Sequence, residues 1–176
     1  RIFDHIKSFG GRVVMTSPDH ISGTSRLGEV IQNVEGVDLQ NDIVVNIQGD
    51  EPFIDPLQID LVLKAFSNPE VQIGTLISRI VNPDDLVNPN IVKVIVDKAG
   101  KAMLFSRSAI PFVRGRNNND WLEIGKFYRH IGLYAYKANV LNKLIELPEA
   151  EIEKLKREHL ILKNYILDKY QFEDLL

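Results

Sequence analysis

The sequence predicts an α/β fold built on a mixed sheet, and three observations carry that expectation. Short apolar, β-branched runs recur at 43–47, 72–80, 91–96 and 131–136. Stretches with helical spacing lie between them, and one turn at 97–100 ends in glycine between two strand-like runs. Alternating strands and helices build a helix-covered sheet, and an inserted hairpin makes it mixed.

Taken in order, 1–11 reads as an amphipathic helix with Ile2, Phe3, Ile6 and Phe9 on one side and Gly10-Gly11 closing it. It is entered midway, which predicts that the chain is a piece of something longer. Arg12–Thr16 is a short β-branched run closed by Ser17-Pro18-Asp19-His20 as a turn. Leu27, Val30, Ile31 and Val34 fall at i, i+3, i+4 and i+7, which makes Thr24–Val34 a helix with Ser22, Gly23 and Thr24 at its start. The nearly continuous apolar run Ile43–Ile47 predicts a strand covered on both faces. Asp55 as cap, Pro56 at the first helical position and Gln58 completing a capping box begin another helix. The run 91–96 returns through Asp97-Lys98-Ala99-Gly100 to 101–105 as a hairpin with Gly100 left-handed. Residues 112–125 are polar and turn-rich, hence a loop, and 138–170 is mostly helical with a break near Pro148.

Size and composition limit what such a fold does. The 176 residues make a single domain over 1–176, and 44% hydrophobic with 26% charged residues is ordinary for a globular chain. A net charge of -3 speaks against a nucleic-acid partner, while leaving room for a local basic pocket that takes a small anion. No apolar run approaches the roughly 20 residues that span a bilayer, so no membrane partner is expected. The chain has no cysteine, which excludes disulfide scaffolds, thiolate metal sites and cysteine nucleophiles and is compatible with a reducing cytoplasm. It also lacks the dinucleotide-binding G-x-G-x-x-G, the Walker A loop, H-E-x-x-H and G-x-S-x-G.

Two segments carry chemistry. Val45-Asn46-Ile47-Gln48-Gly49-Asp50-Glu51-Pro52 runs a strand into a turn, and ligands in open α/β sheets sit outside the carboxyl ends of strands. Gln48 and Asp50 are therefore delivered to that edge; Gly49 allows close approach, and an ionised Asp is a hard oxygen ligand suited to Mg²⁺ held with phosphates. An ordinary strand-to-loop turn explains the same residues about as well. Ser22-Gly23-Thr24-x-Arg26 is the second segment, with two hydroxyls, free helix-start amides and a guanidinium fork for an anion. Plain capping with a solvated arginine is the simpler account of it. Arg129-His130 precedes IGLYAY, where Tyr134 and Tyr136 share one strand face. A histidine at a strand edge is commonly structural, and tyrosines at period two are commonly core. Arg107, Arg114 and Arg116 offer further positive charge, while His5, His20 and His159 read as surface or capping residues.

The stretches DHISGTSRLGEV (19–30), VNIQGDEPFI (45–54), NPNIVKVIVDKAGKAMLFSRSAIPF (88–112) and FYRHIGLYAYKANVL (127–141) together resemble the CMP-Kdo synthetases, the 3-deoxy-manno-octulosonate cytidylyltransferases. The resemblance spans about residues 1–150. It implies a Rossmann-like nucleotide-diphospho-sugar transferase fold, a cytoplasmic homodimer, and Mg²⁺-dependent transfer of CMP from CTP to the anomeric hydroxyl of Kdo, releasing pyrophosphate for lipopolysaccharide inner-core synthesis. By the same resemblance Asp50, Gln48 and Arg26 are catalytic, with Asp50 a metal ligand, Gln48 contacting the sugar or the nucleotide and Arg26 the sugar acid, and Ser22, Gly23, Thr24, Arg107, His130 and Tyr134 bind substrate. Alternatives are a cytidylyltransferase for 8-amino-Kdo or sialic acid, or a non-catalytic dimerising homologue. The sequence departs from the family pattern where Lys156 and Arg157 stand in place of an expected Glu-Gln pair, and where Glu173-Asp174-Leu175 lacks the expected preceding Asp and Thr-Pro. The family's N-terminal phosphate loop is expected to precede residue 1.

Overall fold

The computed structural model describes residues 1–49 and 53–147, and the backbone of 164–165. Among the described residues six strands form one sheet: β1 (Ile43–Asn46), β2 (Ile73–Arg79), β3 (Lys93–Val96), β4 (Ala102–Ser106), β5 (Tyr128–Lys137) and β6 (Asn164–Tyr165). Their order is β4-β3-β5-β2-β6, with β1 pairing on β5 as well. Only β2 and β6 pair in parallel among the described strands, so the sheet is mixed, as expected. Strand β5 organises the molecule. Along one edge it pairs with β2; along the other, Tyr134–Lys137 meet β1 while Tyr128 and Arg129 meet β3.

Helices cover both faces. On one face α2 (Gly23–Asn33) and α6 (Ala138–Glu146) pack Ile31 and Leu141 against Ile73 and Tyr136 of the sheet. On the other, α3 (Pro56–Lys64) packs Val62 against Leu76, Leu133 and Ala135. Successive β5 residues thus point to opposite cores, the period of two that a doubly covered strand requires. Each fully buried aliphatic side chain, such as Val62 or Leu141, contributes about 1.5–3 kcal/mol. A satellite core lies under α4 (Pro83–Val87) and α5 (Trp121–Ile124), where Ile80, Leu86, Trp121 and Phe127 are buried together.

The local signals hold at several ends. Ser22 caps α2, accepting from the Ser25 amide at 3.2 Å, and Ser25 Oγ answers to the Ser22 amide at 3.4 Å. Asp55 caps α3 by accepting from the Leu57 amide at 2.9 Å, with Pro56 in the first turn. The β3–β4 hairpin turns on Gly100 at φ +77°, and Asp97 Oδ1 accepts from the amides of Ala99 and Lys101 at 2.8 Å each. The first helix, α1 (Ile2–Ser8), ends at Phe9 with Gly10 left-handed, but none of its residues is buried.

Other expectations are corrected. Residues 12–16 form no strand, because no described strand runs beside them to complete a ladder, and Val14 and Met15 stay exposed. Strand β1 is only half-buried along its length: its side chains reach both cores, yet β5 is its one partner among the described strands. Gln58 closes no capping box; its side chain lines a cleft instead. The expected loop 112–125 contains α5, because Trp121, at 2% exposure, pulls its polar flanks into a helical turn by stacking on Phe127 with ring centres 5.9 Å apart. Helix α6 ends at Glu146, and Asn164–Tyr165, placed inside a helix by the sequence, pairs as a strand with Ile73 and Gly74. Pro148, Lys156, Arg157, His159 and Glu173-Asp174-Leu175 lie outside the described residues.

Candidate active site

The site is built on the stretch of β5 left open between β1 and β3. The His130 amide still reaches the Val92 carbonyl at 2.8 Å. Beyond it the β2–β5 register shifts between Thr75 and Leu76, leaving Gly132 and Leu133 unmatched in the ladder. Bulges of this kind re-aim side chains beside functional sites. A shallow cleft opens there, lined by Ile131, Gly132 and Leu133 of β5, Gln48 just past β1, and Ile54 and Gln58 at the start of α3. A Cβ on Gly132 would meet nothing within 4 Å, so the strand backbone is approachable at that point. Gln48 is thus delivered to the sheet edge as the sequence predicts. Asp50, two residues on, lies outside the described residues, as do Glu51 and Pro52.

A row of rings is carried by the same strand. Phe105 meets His130 edge-on at 5.1 Å, His130 lies 5.1 Å from Tyr134, and Tyr134 stacks on Tyr136 at 6.2 Å. The Thr24 side chain hydrogen-bonds the Tyr136 phenol, tying the start of α2 to this row. Tyr136 belongs to the core, whereas Tyr134 stands at its margin, half-buried. Burial pushes the Tyr136 phenol up to about 12, reinforced by Tyr134 and opposed by the Thr24 bond. Burial also raises Tyr134, so both hydroxyls stay protonated at neutral pH. His130 is pulled down to about 4 by burial and is neutral there. The row is therefore an uncharged, polar-edged wall suited to a hydroxyl-rich ligand.

The remaining predicted residues have defined places. Ser22 is engaged in its cap, while a Cβ on Gly23 would meet open space. Arg26 does not face the ring row: its guanidinium donates to Thr16 Oγ1 and, at 3.0 Å, to the Ser17 carbonyl. Arg107 donates to the Pro89 carbonyl at 2.8 Å, just past the strand that carries Phe105. His20 is no surface residue, since it is partly buried and bonded through Nε2 to Glu29. Three residues escaped the sequence reading: Gln58, Gly132 and Thr75. Thr75 carries a signal in retrospect, as the single hydroxyl inside the apolar run Ile73–Ile77, and it is fully buried.

Among the described residues no three His, Cys, Asp or Glu side chains converge to hold a metal ion. The carboxylate that the sequence offers for Mg²⁺ is Asp50, outside the described residues; the cleft is lined by Gln48 and Gln58, whose amide oxygens are donors of the kind a hard cation takes when phosphate oxygens complete its shell. No helix among the described residues is long and apolar enough to cross a membrane.

Comparison with known proteins bears on the fold and the family. A 3-deoxy-manno-octulosonate cytidylyltransferase of Parabacteroides distasonis is 48% identical over 158 residues, covering 87% of this chain and 61% of its own length. Proteins of the same name from Bacteroides thetaiotaomicron and Thermodesulfovibrio yellowstonii are 46% and 43% identical. The chain thus spans about three-fifths of the length of these curated relatives. A solved structure of CMP:2-keto-3-deoxy-manno-octonic acid synthetase complexed with CTP superposes with a TM-score of 0.78 at 33% identity, covering 94% of this chain and 67% of that one. The cytidylyltransferase family profile matches residues 1–173, and the chain belongs to that family.

Proposed function

We propose that the whole protein transfers CMP from CTP to the anomeric hydroxyl of Kdo, releasing pyrophosphate, in the cytoplasm and as a step toward lipopolysaccharide. The observation that carries this reading is the neutral row His130–Tyr134 on β5, the strand whose Gly132 also lines the cleft shared with Gln48. Such a row reads sugar hydroxyls, and Gln48 follows directly on β1, which pairs with Tyr134–Lys137 of the same strand. The names of these relatives support the same choice of substrates.

In the reaction the anomeric oxygen forms a bond to the α-phosphorus as the bond to pyrophosphate breaks, and the hydroxyl proton is released. Chemistry of this kind depends on positioning and on neutralising charge. Asp50 would hold Mg²⁺, which when bound offsets charge on the phosphate oxygens. Gln48 orients nucleotide or sugar, His130 and Tyr134 hold the sugar, and Ser22, Gly23, Thr24 and Arg107 border the substrates. Arg26 serves the sugar carboxylate directly once substrate draws it from Ser17, or through the turn it anchors. A second copy of the chain is the expected partner: β4 ends the sheet, and its Met103 and Leu104, with Phe112 nearby in sequence, are exposed.

The test is pyrophosphate release by the full-length protein with CTP, Kdo and Mg²⁺, leaving out each in turn, beside sialic acid and 8-amino-Kdo as acceptors. Release that requires all three and prefers Kdo supports the reading. Preference for another acid, or unchanged release with EDTA, overturns it. Light scattering on the same sample decides the dimer.

A further inference from the structure

Thr75 sits at the register shift of β2, fully buried, and its Oγ1 has three neighbours: His130 Nε2 at 2.8 Å, the Leu133 carbonyl at 2.8 Å and the Ile131 carbonyl at 3.3 Å. A hydroxyl has one proton to donate and lone pairs with which to accept. Carbonyl oxygens only accept, so the proton goes to one of them, and Leu133 is the nearer. Were it given to His130 instead, the Thr75 oxygen would face two carbonyl oxygens with no proton between them, one at 2.8 Å. His130 Nε2 must therefore be the donor. In a neutral imidazole the other nitrogen is then an acceptor. His130 is held neutral by burial. Its Nδ1 has no partner among the described residues, and it is not a sealed atom, because Asn139 Oδ1 alone is both buried and unpartnered there.

We infer that Thr75 is a positioning residue: through the Leu133 carbonyl it fixes His130 as the Nε2–H tautomer and leaves Nδ1 as an acceptor that reads a hydroxyl of the acceptor sugar. The choice has a chemical consequence. A neutral ring with an open lone pair takes a hydroxyl donor and repels a carboxylate or phosphate oxygen, so His130 selects for the sugar's hydroxyls and has no part in holding the anionic groups. The hydroxyl-reading half of this inference rests on the proposed function; the tautomer does not.

The experiment is nitrogen NMR of the full-length protein labelled in its histidines, with the His130 signals identified by their loss in His130→Asn. Wild type should show a protonated Nε2 and an unprotonated Nδ1 at neutral pH. Thr75→Val should shift His130 toward the other tautomer and raise the KM for Kdo about tenfold with little change in the KM for CTP, and Thr75→Ser, which keeps the hydroxyl, should restore both. An Nδ1–H tautomer in wild type overturns the assignment whether or not the valine variant folds. A wild-type tautomer as assigned, with valine and serine variants alike in KM for Kdo, overturns the hydroxyl-reading role. If wild type shows the assigned tautomer but does not use Kdo, the function is wrong and the Thr75–His130 relation stands.

Discussion

Arg26 and Glu29, one turn apart on α2, grip the same turn from one helix face. Arg26 donates to Thr16 Oγ1 and the Ser17 carbonyl, while Glu29 accepts from the Ser17 amide at 3.0 Å and from His20. The segment 12–20 has no sheet partner among the described strands, so these side chains supply what a ladder would otherwise provide. The His20 bond first, and the Ser17 amide second, hold the Glu29 carboxyl below its usual value. A lowered carboxylate contributes stability that is present above its unfolded pKa and is lost as pH falls through its folded one. Glu29→Gln should therefore speed hydrogen exchange at 16–20 at pH 7, and the difference from wild type should vanish in acid. Equal protection at pH 7 would mean that Arg26 alone holds the turn.

On the proposed function Arg26→Ala should raise the KM for Kdo several-fold more than that for CTP, because an arginine that binds the sugar carboxylate, directly or through the turn it anchors, mainly supplies ground-state affinity. Arg26→Lys should recover only part, since an ammonium cannot reproduce the fork. A larger effect on CTP would reassign the residue to the phosphates.

Gly28 is buried where α2 crosses α6, and a Cβ there would stand 2.4 Å from Ile145 Cδ1 and 2.6 Å from its Cγ2. Alanine gains about 1 kcal/mol of helix propensity but forces overpacking of about 1–3 kcal/mol. Gly28→Ala should therefore be neutral to about 2 kcal/mol destabilising in urea melts, and Ile145→Ala on top of it should cost less than in wild type. Additive effects would show that the two positions do not meet.

His130, pulled down to about 4 by burial, binds its proton less readily in the folded chain than at the ordinary value of 6.5. Lowering the pH therefore favours the unfolded chain: stability from this group is complete above about pH 6.5, falls as pH approaches 4 and levels below it, a loss of at most about 3 kcal/mol. His130→Asn should flatten the stability profile across that window by one proton. An unchanged slope would mean that His130 is solvated.

Asp50→Asn should lower turnover at least ~10²-fold with little change in melting temperature, because one well-placed charge in a transition state is worth on the order of 3 kcal/mol. Near-normal turnover with a sharp loss of stability would make Asp50 structural.

What the sequence determined by itself was most of what near neighbours govern, the Gln58 capping box excepted. Ser22 and Asp55 as caps, the Asp97–Gly100 turn and the strand identities of β1 to β5 follow from local hydrogen bonding and periodicity, and the motif string around Gln48 and His130 pointed to a candidate site just past β1 and on β5. Tertiary structure decided what distant segments do to one another. It left 12–16 without a ladder and bound it to α2 by side chains, turned the polar run around Trp121 into a helix over a satellite core, and paired Asn164–Tyr165 with β2. It also set the β5 register so that a buried threonine meets a histidine 55 residues away. A partner at that separation leaves no mark on local periodicity, which is why Thr75 read as one more residue of an apolar strand.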